Sequence, residues 1–177
     1  MARLVGSTGR VTAIEFDAQI ANRATANLST FPGVRVLHAN GADADFDAAD
    51  VIYVNARTTR PAERWLDHLS DSGRLILPLT TDASVHVSDE GTVDFANMAK
   101  LGAVFRIERK GADFYARWIC LAAYILAEGM RDPVSEVALA KAFTNGDGQK
   151  VTRLYRSDAI PAERCWLQGN GWCLAYE

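Results

Sequence analysis

Four short runs of mostly apolar, partly β-branched residues punctuate the first part of the chain: Val11–Ile14, Val34–His38, Asp50–Asn55 and Arg74–Leu79. Each has the length of a buried strand and each is bounded by turn signals, among them Gly6-Ser-Thr-Gly9, Phe31-Pro-Gly33 and Ser72-Gly73. Asp17 can cap a helix whose Ile20, Ala21, Ala24 and Leu28 recur at helical spacing, and Pro61 can begin another with Trp65, Leu66 and Leu69 on one face. A strand that returns through a helix to a neighbouring strand runs parallel to it. The rhythm therefore predicts an α/β fold with a parallel sheet through Leu79.

Beyond Thr80 the rhythm changes. Ser84–Ser88 and Thr92–Phe95 flank Asp89-Glu-Gly91, and Ala103–Arg109 and Phe114–Cys120 flank Lys110-Gly-Ala-Asp113, so two antiparallel hairpins are expected. Asp132-Pro133 opens a helix carrying Val137, Leu139, Ala140 and Phe143 and ending at Asn145-Gly146. Cys165 to Leu174 reads as a tight hairpin with a glycine-flanked turn, its Trp166 and Trp172 expected to pack rather than to cage a ligand. Ala2 to Val5 reads as the tail of a helix closed by Gly6.

A chain of 177 residues with 49% hydrophobic content buries one substantial core. The expected organisation is a domain over residues 1–129, with a helix-and-hairpin extension over 130–177 packed on it. A formal net charge of −3 gives no electrostatic reason to expect nucleic acid or an anionic membrane as partner. No apolar run approaches the roughly 20 residues that span a bilayer, and Met1–Gly6 lacks the apolar core of a secretory signal, so a cytoplasmic setting is expected. Cys120, Cys165 and Cys173 lack both a disulfide-framework pattern and zinc-ligand spacing, and all three are read as reduced and mostly packed. His38, His68 and His86 are too isolated in sequence to make a metal set, so no metal is expected.

Chemistry concentrates at Glu15. It closes the first strand at its carboxyl end, where open α/β sheets bind ligands. A carboxylate there accepts hydrogen bonds from both hydroxyls of an adenosine ribose, and Phe16 beside it offers an apolar face to the base. The competing reading is a solvated residue at a strand end.

The segments Leu4-Val-Gly-Ser-Thr-Gly-Arg-Val-Thr-Ala-Ile-Glu-Phe-Asp17, Ala39-Asn-Gly41, Asp50-Val-Ile-Tyr-Val-Asn-Ala56, Gly73-Arg-Leu-Ile-Leu-Pro-Leu79 and the hairpin through Tyr115 carry a resemblance in their order and spacing. Together they resemble a class I S-adenosylmethionine-dependent methyltransferase, specifically the protein-L-isoaspartate O-methyltransferase family. The resemblance implies a Rossmann-like sheet, mostly parallel with antiparallel strands near the C-terminal part. It implies S-adenosylmethionine as cofactor, with Glu15 and Phe16 at the adenosine and Asn40-Gly41-Ala42 at the adenine, where the family usually has Gly-Asp-Gly. Asn55, at the end of the third run, takes by the resemblance the position after the family's fourth strand, which faces the methyl donor and substrate. Arg57 departs from the small residues frequent there, and recognises a substrate carboxylate, obstructs the pocket or is simply a solvated loop arginine. The implied methyl acceptor is a protein or peptide carboxylate.

The family's first strand, its glycine-rich loop and its catalytic serine or threonine region have no counterpart in the sequence, which resembles the carboxyl-terminal two-thirds of such an enzyme. Gly6-Ser-Thr-Gly9 precedes the wrong strand to be that loop. Two consequences are expected. S-adenosylmethionine binds weakly or not at all, and the strands at Val11 and Val51, which flank the family's first strand, either pair with each other or use their edges to build a homo-oligomer. A non-catalytic scaffold serving interaction or oligomerisation is the alternative. A nicotinamide-dependent dehydrogenase also needs an acidic residue at this strand end, but requires G-x-G-x-x-G before it, and that is missing.

Overall fold

The computed structural model describes residues 1–81, 102–121, 131–157 and 159–177. The hairpin expected over Ser84–Phe95 lies outside the described residues. The chain divides into two compact units, Met1–Asp47 and Ala48–Glu177.

The first unit is a strand-helix-strand: β1 (Val11–Glu15), α1 (Ala18–Leu28) and β2 (Val34–His38). The two strands pair in parallel, in register from Val11↔Val34 to Glu15↔His38. Asp17 starts α1 as the sequence suggests, its extended backbone letting the side chain accept from the Ile20 amide at 2.8 Å. Ala21 is the buried residue of this helix, while Ile20 is half exposed. Ahead of β1, the Leu4 and Val5 amides both donate to the Met1 carbonyl, and Gly6 turns out at φ 72°. The expected helix tail is therefore a single turn, since so short a segment cannot recover the cost of helix nucleation.

The second unit holds a seven-stranded sheet. Its strands are β3 (Ala49–Tyr53), β4 (Leu69–Thr80), β5 (Gly102–Lys110), β6 (Asp113–Leu121), β7 (Arg153–Tyr155), β8 (Cys165–Gln168) and β9 (Cys173–Ala175), ordered β3-β4-β5-β6-β7-β9-β8. Only β3 and β4 pair in parallel, and every other ladder of the sheet is antiparallel. The α/β class expected from sequence is present, but among the described residues parallel ladders are confined to β1–β2 and β3–β4. The cause is connection length at two places: β5 turns into β6 through the two residues Gly111-Ala112, with Gly111 at φ 61°, and β8 into β9 through the four residues Gly169 to Trp172. Turns that short can only reverse the chain.

Among the described residues, two α-helices accompany this sheet. α2 is short, Glu63–Asp67, and buries Trp65 and Leu66. Leu69, expected on the same helix face, instead begins β4, and Ser72, at φ 62°, and Gly73 mark an irregularity within that strand instead of a turn before it. α3 spans Pro133–Asn145 and buries Leu139, Ala142 and Phe143. Strand alternation places Leu75, Leu77, Leu79, Ala103, Phe105 and Ile107 on one fully buried sheet face. There Phe105, Trp118, Phe143 and Trp166 form a cluster with ring centroids 5.4 to 6.4 Å apart. The Trp166 indole donates to the Gly146 carbonyl at 2.7 Å, so its one polar atom is satisfied. Both tail tryptophans pack, and the 130–177 extension completes the sheet through β7, β8 and β9.

The cysteines require a correction. Cys165 and Cys173 form a disulfide across the β8–β9 hairpin, with Cα atoms 6.0 Å apart, while Cys120 is free. The seven residues between them look too many for a short-range motif, but the hairpin folds the chain back and brings the two ends together.

Candidate functional site

The carboxyl ends of β1 and β2 gather five of the six residues singled out from sequence. Glu15 ends β1, and its backbone carbonyl accepts from the Ala39 amide at 2.9 Å, which draws the post-β2 segment alongside it. One carboxylate oxygen, Oε1, accepts from the Asp17 amide at 2.9 Å. The other makes no hydrogen bond among the described residues. The carboxylate is thus held by its own turn with acceptor capacity left over. Phe16, directly after it, is half exposed.

His38 is too isolated in sequence to suggest a ligand set, yet it lies opposite Glu15 in the ladder, and its Nε2 stands 3.0 Å from the Phe16 carbonyl. It joins the two strand ends and steadies the segment that presents Phe16. The sequence carries a signal for this: both strands are five residues long, and in-register parallel pairing matches their final positions.

Asn40 serves its own loop. Its Oδ1 accepts from the Ala42 amide at 3.0 Å and its Nδ2 donates to Asp43 Oδ2 at 2.7 Å, while its carbonyl accepts from the Asp43 and Ala44 amides. This is an Asx turn, the behaviour expected of asparagine before glycine. A second lone pair on Oδ1 and a second hydrogen on Nδ2 remain for a ligand. Gly41 sits within this turn with ordinary negative-φ backbone, and a Cβ built there would meet nothing within 4 Å. Neither backbone strain nor packing accounts for glycine at this position. Ala42 is buried beneath the turn.

Asn55 lies in the second unit, exposed just past β3. Beside it the ends of β3 and β4 are tied by threonines: the Thr58 hydroxyl donates to the Pro78 carbonyl at 2.6 Å, the Thr80 amide donates to the Thr58 carbonyl at 2.9 Å, and Thr59 Oγ1 accepts from the Asp132 amide at 3.1 Å. Thr58, Thr59, Thr80 and Thr81 are all buried. Arg57 folds onto this knot, donating from Nε to Thr80 Oγ1 at 3.4 Å and from Nη2 to the Thr81 carbonyl.

Residues 1–100 match the family model described as Protein-L-isoaspartate(D-aspartate) O-methyltransferase (PCMT), which is more than half of the chain. The chain belongs to this family. Among solved structures, one protein-L-isoaspartate O-methyltransferase aligns with a TM-score of 0.57 and 21% identity over 72% of this chain and 37% of its own, a likeness of fold. A second, from Plasmodium falciparum and described as such a methyltransferase in complex with S-adenosyl-L-homocysteine, aligns with a TM-score of 0.49 and 15% identity over 66% of this chain and 51% of its own. The chain thus spans about half or less of the length of these solved relatives. No curated protein sequence matches it.

Proposed function

We propose that the chain contributes the adenosine-binding part of a protein carboxyl O-methyltransferase of the isoaspartate type, with S-adenosylmethionine as its cofactor. Family membership supplies the reaction class. The observation that carries the site is the Glu15 carboxylate, anchored through Oε1 with Oε2 left to accept, at the rim of a parallel strand pair. Glu15 would take the ribose hydroxyls and Phe16 would lie against the base. The clear space beside Gly41 would let an adenine edge approach the backbone. Asn40 retains one donor and one acceptor for the exocyclic amine and its ring neighbour.

The cofactor would supply an electrophilic methyl group on sulfonium sulfur. An acceptor carboxylate is already ionised near neutral pH, so the protein's part is to align the two reactants and exclude water, without a strong general base. For the first unit that part reduces to gripping and orienting the nucleoside.

Calorimetric titration with S-adenosylhomocysteine, carried to millimolar ligand, tests the reading. Glu15→Ala is expected to weaken binding by about 1 to 3 kcal/mol through loss of charge-assisted hydrogen bonds, with circular dichroism unchanged. No heat from the unsubstituted chain, or equal affinity in the variant, would remove the assignment.

A further inference from the structure

The seven-stranded sheet has a second face, opposite the buried one, and its composition is unlike that of the chain as a whole. Strand alternation and the ladder registers place Arg74 and Ile76 of β4, Arg106, Glu108 and Lys110 of β5, Asp113, Tyr115 and Arg117 of β6, and Arg153 and Tyr155 of β7 on it. The face therefore carries five cations against two carboxylates, in a chain whose formal net charge is −3. Both carboxylates are already engaged: Glu108 bridges Arg106 at 2.6 Å and Lys110 at 3.8 Å, and Asp113 lies 3.7 Å from Arg153. Arg74 and Arg117 are exposed and make no ion pair among the described residues.

Arg106 and Arg117 stand directly opposite each other in the β5–β6 ladder, an arrangement that folding alone disfavours. Arg106 Nε is moreover buried without a hydrogen-bond partner. A carboxylate placed between two facing guanidiniums turns that repulsion into attraction. Apolar groups stand nearby, with Tyr53 of β3 in register with Ile76 and 47% exposed, and Ile119 of β6 45% exposed. At the β6–β7 end the face runs into a shallow cleft of about 200 Å³ lined by Arg153, Tyr155, Arg156 and Ser157.

We infer that this face docks an acidic polypeptide segment, one that interleaves carboxylates with aliphatic side chains. The carboxylates would pair with Arg117, Arg106 and Arg74, and the aliphatic groups would cover Ile76, Ile119 and Tyr53. A basic sheet with tyrosines also suits single-stranded nucleic acid, whose bases stack on aromatic rings. Here, however, the central ring is already occupied: Arg153 lies 4.2 Å and Lys110 4.9 Å from the Tyr115 centroid. That removes the stacking platform and leaves the charge, which favours the polypeptide. The inference is independent of the methyl-transfer reading, since all of its residues lie in the second unit.

Fluorescence anisotropy on the full chain tests it, with a short fluorescein-labelled peptide of alternating aspartate and leucine as probe and oligothymidylate as competitor. The peptide should bind, binding should fall as salt rises, and Arg117→Glu should weaken it about tenfold. Arg117 is exposed, and unchanged near-ultraviolet circular dichroism would confirm that the fold survives. Arg74→Gln, at a second exposed position, should weaken binding in the same direction and serves if Arg117→Glu fails to fold. Absence of peptide binding, variants that bind as the unsubstituted chain does, or tighter binding of oligothymidylate than of peptide would each overturn the proposal.

Discussion

A methyl group added at Gly41 would meet no atom within 4 Å, whereas one added at Gly148 would lie 2.5 Å from the Trp118 ring and one at Gly169 2.1 Å from the Trp172 indole nitrogen. Three glycines that look alike in the sequence therefore carry opposite expectations. Gly148→Ala forces the aromatic cluster to shift and should cost about 1 to 3 kcal/mol in urea denaturation. Gly41→Ala should leave stability unchanged and weaken S-adenosylhomocysteine binding, because its only neighbour would be the ligand. Equal destabilisation of both variants would refute the distinction. Glu15 at a strand end and Asn40-Gly41 in a turn are legible in the sequence itself. The second role of Asn40, closing its own loop onto Ala42 and Asp43, is not, because hydrogen-bond partners three residues away compete with a ligand only in three dimensions.

Helix starts are the most legible elements. Asp17 and Asp132 both cap, and both are visible as an acid preceding an apolar-periodic run. Asp17→Ala should cost about 1 kcal/mol by thermal denaturation. At Asp132, the Ser135 hydroxyl and amide and the Val134 amide all donate to the carboxylate, and the hydroxyl bond chiefly holds its pKa below the ordinary 3.8. A depressed carboxylate stabilises the fold above its unfolded pKa, and this contribution is lost as pH falls through the folded value. Acid denaturation should therefore show stability beginning to fall as pH drops below 3.8, with that step flattened in Asp132→Asn. The β5–β6 hairpin is likewise legible from Lys110-Gly-Ala-Asp113, since a two-residue turn with glycine at positive φ is a local requirement. The disulfide is not, because pairing of Cys165 with Cys173 depends on the hairpin register. Its reduction, or Cys165→Ser, should lower stability by about 2 to 3 kcal/mol relative to the oxidised chain in urea denaturation, the chain-entropy value for so short a loop. A smaller loss would mean that the β7–β9 and β8–β9 ladders hold the hairpin unaided.

For the molecule as a whole, β1 pairs only with β2 and β3 only with β4 among the described residues. Each leaves a backbone edge without a ladder among the described residues, and such edges template pairing with another chain. Light scattering is expected to return a mass above the 19.3 kDa of one chain, rising with concentration. Asp50, exposed on the β3 edge, acts against such pairing, so Asp50→Val should raise the apparent mass further. A single-chain mass at every concentration, in both proteins, would refute edge pairing.

Local chemistry in the sequence determined the strand-helix-strand at the start, the caps, the hairpin turns and the carboxylate at the end of β1, because each depends on residues within a few positions of one another. Tertiary structure alone decided that Trp166 joins Phe105, Trp118 and Phe143, that two cysteines meet, and that parallel pairing stops at β4. It also decided that five cations from four strands share one sheet face. Those outcomes rest on strand order and register between distant segments, and period-two alternation in a single strand tells which residues share a face but not which strand will lie beside it.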